Sequence, residues 1–99
     1  MRFHVTFKVR DTIVLDDDKR MREFLGPHMQ RITESGKVQD SGLLCGKRGA
    51  FYIVDVDAPE ELLELFGPEI YANFETDVQP LAPMEKIGEL FQQWASEGR

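Results

Sequence analysis

The sequence predicts an α+β domain, with helices on one face of an antiparallel sheet and one more helix at the C-terminal end. Three observations predict it. Ala50 to Val56 is rich in β-branched and aromatic residues and is bounded by Gly49 and Asp57, as strands are. It carries bulk on both faces, with Phe51 and Ile53 on one and Tyr52, Val54 and Val56 on the other. A strand of that kind is central and covered on both sides. Finally, apolar periods of two and of 3.6 residues succeed each other in the order β-α-β-β-α-β.

Phe3 to Val9 alternates strictly, with Phe3, Val5, Phe7 and Val9 on one face and His4, Thr6 and Lys8 on the other. The apolar face should meet helices, and the polar face is either wet or lines an enclosed polar space. Asp16, Asp17 and Asp18 can cap the helix that follows and complement its positive end. Met21, Phe24, Leu25 and Ile32 make its apolar stripe. Gly26-Pro27 interrupts that stripe and predicts a kink or a break. Gly36 suits a left-handed cap after Ser35. Residues 37–44 form a weaker strand at a sheet edge, because Asp40 and Gly42 lower its propensity. Gly46-Lys47-Arg48-Gly49 reads as a solvated turn, which joins 37–44 to 50–56 as a hairpin.

Pro59 suits the first position of a second helix. Glu60 and Glu61 lie in its first turn, Leu62, Leu65 and Phe66 form its buried stripe, and Gly67-Pro68 ends it. Ile70 to Asn73 reads as a connection. Phe74 to Gln79 is the fourth strand, with Glu75, Asp77 and Gln79 on one face, and Pro80 and Pro83 close it. From about Met84 to Glu97 a last helix carries Ile87, Leu90, Phe91 and Trp94 at amphipathic spacing. The sum is the ferredoxin-like split βαβ arrangement. Its outer sheet face would hold His4, Lys8 and one side of the central strand, too apolar to face water alone. Two sheets packed face to face in a homodimer would cover it.

Ninety-nine residues make a single domain, 1–99, of modest core. A net charge of −6 lacks the footprint of a nucleic-acid binder and argues against anionic membrane surfaces. Cys45 is the lone cysteine, so no internal disulfide forms, and nothing beside it would stabilise a thiolate. With no signal segment and no apolar run of membrane length, the chain reads as cytoplasmic. Its two histidines show no metal-ligand spacing, and no glycine loop precedes a helix to cradle phosphate. No metal and no cofactor are expected.

His4 is the leading candidate for chemistry. An imidazole on a polar strand face is a solvated residue in the ordinary case. In a cavity it is a general acid or base, because its pKa lies near neutrality. Lys8, on the same face, could hold an anionic substrate. Tyr52 could bind a ligand, since a buried phenol needs a partner. Glu75 could shuttle protons if buried, as could Asp77. His28 and Asp40 could form an alternative dyad if the fold brings them together.

The element order, the run Glu34-Ser35-Gly36-Lys37-Val38 and the run from Gly49 through Pro59 to Leu62 resemble the dimeric α+β barrel superfamily. Within it the chain looks most like muconolactone isomerase and its relatives. Phe3-His4-Val5 is similar to their opening, and Ala50, Tyr52 and Val54 to their third strand. His28, on the first helix, is similar to a histidine of the YCII-related proteins. The resemblance implies a small cofactor-independent enzyme, isomerase-like, that moves a proton on a small anionic organic molecule. On the reading of the residues above, His4 and Glu75 would be catalytic in such an enzyme, and Lys8 and Tyr52 would bind substrate. Two other readings stand beside it: a non-catalytic dimeric module that binds a small ligand or another protein, and a cofactor-free oxygenase.

Overall fold

The structure, a computed structural model, describes residues 1–10 and 18–98. Asp16 and Asp17, read above as helix caps, lie outside the described residues. The order is β1 (Arg2–Val9), α1 (Asp18–Glu34), β2 (Val38–Leu44), β3 (Gly49–Asp55), α2 (Glu61–Asn73), β4 (Phe74–Leu81) and α3 (Lys86–Ser96). The four strands form one antiparallel sheet in the order β2-β3-β1-β4. This is the ferredoxin-like α+β arrangement, and β2 is an edge strand as expected.

The alternation of β1 decides the layers. Phe3, Val5, Phe7 and Val9 are all buried beneath the helices. Val5 pairs with Tyr52 and Phe3 with Val54, so Tyr52 and Val54 enter the same core. Phe66 of α2 is fully buried there and meets the edge of Phe7 at a centroid distance of 4.7 Å. His4, Thr6 and Lys8 point to the outer face, together with Phe51 and Ile53 of β3.

Two expectations are corrected. Gly26-Pro27 does not break α1, which stays helical from Asp18 to Glu34. Pro27 lacks the donor that would reach the carbonyl of Glu23, but Glu23, Gly26 and Pro27 are all exposed, so water can serve that carbonyl. Nor do residues 70–73 form a connection. The chain kinks at Gly67 (φ 81°, ψ 164°) and resumes as helix to Asn73. Gly67 permits the left-handed turn, and Pro68 then stands at the start of a second helical segment, where its missing N–H is no loss.

The kink is tied to α1. The Arg31 guanidinium donates to the carbonyls of Glu64 and Phe66, each at 3.0 Å. These carbonyls end the first segment of α2 and would otherwise lack partners. At the other end of α2, the Glu61 carboxylate accepts the Asp57 N–H at 2.7 Å. That bond is the main cause holding its pKa below the usual carboxylate value, and Lys37 adds to it. β4 continues to Leu81 through Pro80, which is tolerable because β4 is an edge strand.

α3 stands apart. None of its residues is buried, and Met84, Ile87, Leu90 and Phe91 are exposed. The longest dimension of the molecule is 58 Å and its radius of gyration 17.1 Å, against about 13 Å for a compact chain of this length. An apolar stripe and the outer sheet face both want cover. A homodimer is the expected outcome in sedimentation at micromolar concentration. Removing residues 84–99 is expected to lower the melting temperature, and a monomer with unchanged melting in the shortened chain would refute this. Gly49 gives an independent check. A Cβ there would collide with the carbonyl oxygen of Phe7, so Gly49→Ala is expected to destabilise the protein by about 1–3 kcal/mol in denaturant unfolding.

Candidate functional site

A concavity lies inside the domain, between the sheet and α1, with a volume of about 390 Å³. Phe7, Tyr52 and Phe74 form its floor, and Leu25, Met29 and Ile32 of α1 its roof. The roof residues recur at i, i+4 and i+7, one row of a helix. The cavity opens to solvent beside Met29 and Leu43, which are 44% and 76% exposed. Lys47 and Arg48 of the β2–β3 turn line its mouth.

Tyr52 supplies the one side-chain hydroxyl in this lining. The residue is only 6% exposed, and its hydroxyl has no hydrogen-bond partner among the described residues. No described side-chain polar atom is both sealed and unpaired, so the hydroxyl opens into the cavity. Burial pushes its pKa above the ordinary value of 10.0, and at neutral pH the group is a protonated donor. A buried phenol normally finds a partner, and here the cavity is where one would come from.

The other expected residues are dispersed. His4 lies on the outer face, half-buried, with its ring stacked on Phe51 at 5.5 Å and 21°. Phe51 in turn covers Gly42, where no Cβ would fit. Lys8 pairs with Glu75 on the same face, at 3.9 Å. His4 pairs with Gln79 and Lys8 with Glu75, which separates His4 from Glu75 by four residues, about 13 Å along the strands. Tyr52 does not join them: the register turns it to the opposite face. Nor does the fold bring His28 to Asp40. His28 sits on α1 against Phe24, at 5.2 Å. Asp40 pairs with Ile53 and so faces the outer side, where its carboxylate accepts the Ser41 N–H. The sheet lies between the two.

Lys47 and Arg48 are the site residues that the sequence reading passed over. A turn rich in Gly, Lys and Arg signals solvent, and nothing local says that a cavity ends there. The signal that could have found them is the pairing of Phe7 with Ala50 and Lys8 with Gly49, which carries the turn to the open end of β1. Cys45 is exposed and unpaired. Among the described residues no group of three His, Cys, Asp or Glu could hold a metal ion, and no helix is long and apolar enough to cross a membrane.

The raised tyrosine pKa has a measurable consequence. Tyr52 and Tyr71 are both shifted upward by burial, so folding favours their neutral forms. That stability is fully present below the unfolded value near 10.0 and is lost as pH rises through the folded values. The melting temperature is expected to fall above that pH, and to fall less steeply in Tyr52→Phe. Identical alkaline profiles for the two proteins would contradict the assignment.

The sequence matches no family model and no curated protein. Solved structures do match. A 5-chloro-2-hydroxyhydroquinone dehydrochlorinase from Burkholderia phenoliruptrix AC1100, in complex with 2,5-dihydroxybenzoquinone, superposes with a TM-score of 0.65 at 18% identity, covering 87% of this chain and 98% of that one. A muconolactone isomerase superposes with a TM-score of 0.61 at 20% identity, covering 84% of this chain and 90% of that one. Both neighbours are enzymes by name. Neither bears on the likeness to the YCII-related proteins. At these identities the likeness is one of architecture alone: this chain shares the ferredoxin-like α+β fold of both neighbours.

Proposed function

We propose that this chain is a small cofactor-independent enzyme that moves a proton on a small organic molecule seated between the sheet and α1. The observation that carries this reading is the Tyr52 hydroxyl, without a partner among the described residues, in a cavity that is apolar behind its basic mouth. A phenol in that position donates to a carbonyl oxygen of the substrate. When a base removes a proton from the adjacent carbon, the C–H electron pair becomes the enol double bond. The charge then gathers on the oxygen that Tyr52 holds, where a fixed donor in a dry site is most effective. Returning the proton to a different carbon completes an isomerisation. The proton carrier in this reading is His28, which stands beside the lining rather than in it, about 60° round α1 from Leu25 of the roof and half-buried against Phe24. The name of one neighbour makes muconolactone the first substrate to try.

A second location is favoured by the outer face. His4 is held flat by Phe51, and the Lys8–Glu75 pair lies farther along the same strands. In a homodimer joined through this face, His4 would be enclosed as an acid–base group, Glu75 would share that role, and Lys8 would hold an anion. The non-catalytic alternative, a dimeric ligand-binding module, uses the same cavity without turnover.

Deuterium incorporation from D2O into muconolactone and related unsaturated lactone acids, read by NMR, separates these readings. Tyr52→Phe is expected to slow exchange about 10²–10³-fold while the fold and assembly persist. His28→Gln is expected to slow it about 10²–10⁴-fold. If His4→Ala abolishes exchange and Tyr52→Phe does not, the site is the outer face. Binding without exchange in the unmodified protein would identify the module.

A further inference from the structure

The β2–β3 turn brings Lys47 and Arg48 to the mouth of the cavity. Both are exposed, and among the described residues neither side chain has an ion pair or hydrogen bond. In a chain of net charge −6, two adjacent cations without a described carboxylate partner are conspicuous. Their turn is also fixed in place. The Val9 N–H donates to the Arg48 carbonyl at 2.9 Å, and the Lys47 N–H to that of Leu44 at 3.3 Å. Gly49 lies so close to Phe7 that no Cβ fits between them. The cations are therefore anchored beside the opening by backbone bonds and by a tight strand contact.

The lining next to them is apolar, and low-dielectric walls strengthen the attraction between a cation and an anion at their edge. Deeper in, the polar group on offer is the Tyr52 hydroxyl. Arg48 and Tyr52 are four residues apart along the chain, about 13 Å in extended form. Flexible Lys and Arg side chains folding inward reduce that span to the length of one substituted ring. Phe7 and Phe74 in the floor offer aromatic surface to such a ring.

Resting on the reading of this cavity as the small-molecule site, we propose that Lys47 and Arg48 select single-ring organic anions. They would bind the carboxylate at the mouth, while the ring lies over Phe7 and Phe74 and a polar substituent at its far end meets Tyr52. The two residues set specificity and take no part in the proton transfer.

The test is an NMR titration of the full chain with a matched pair of probes, para-hydroxybenzoate and para-hydroxybenzamide. Both are expected to shift the amide signals of Tyr52 and Ile32. The anion is expected to bind about tenfold more tightly than the amide, with the advantage shrinking as salt is added. In the double variant Lys47→Gln, Arg48→Gln that advantage should vanish while the affinity for the amide is unchanged. Equal affinities in the unmodified protein, or an advantage that survives in the double variant, would overturn the selectivity and leave the cavity as the binding site. No response at Tyr52 or Ile32 to either probe would overturn the cavity reading, and the selectivity with it.

Discussion

The pairing of β1 on both sides is the constraint on which the rest depends. It is hydrogen-bonded to β3 along one edge and to β4 along the other, with a register that matches Val5 to both Tyr52 and Val78. One alternating strand thereby assigns a face to every residue of three strands. A slip of one residue would exchange the helix-covered face for the outer one. Phe7 and Gly49 help to prevent that slip, because the close approach of their backbones admits no side chain at the glycine.

The same pairing explains why the chemistry divides between two sides. Odd positions of β1 sort with Tyr52 beneath the helices, and even positions sort with Phe51 outside them. Tyr52 and His4 are therefore kept apart by the thickness of the sheet, although both belong to neighbouring strands. On the inner side there is a cavity, open at one end, with a single hydroxyl and a basic rim. On the outer side there are an imidazole, an ion pair and half-buried apolar rings.

Much of the fold was legible from the chain itself. The alternation of Phe3 to Val9, the double-faced run Ala50 to Val56 and the stripe Leu62, Leu65, Phe66 are local patterns, and each element formed where its pattern lay. What was not legible depends on relations between elements. Gly67-Pro68 is a stop signal read locally, yet the fold uses it as a stop and a restart. Pro27 reads as a break, yet it sits on a wet helix face where the missing bond costs little. The register that separates His4 from Tyr52 is not written in either strand alone. Lys47 and Arg48 read as solvated because the space they border is completed by α1, β1 and β4, none of which adjoins the turn in sequence.

The Arg31 clamp has a mechanical consequence. α1 is the roof of the cavity, and its guanidinium is fastened to the kink of α2 through two carbonyls. That fastening lies near the C-terminal end of the helix, one residue from Ile32, whose side chain is locked in the core. Farther along the helix Phe24 and Leu25 pack half-buried against the core, while Met29 stands exposed beside the mouth. The height of the roof above the sheet is thereby set by the kink of α2, so the two helices fix the depth of the cavity together.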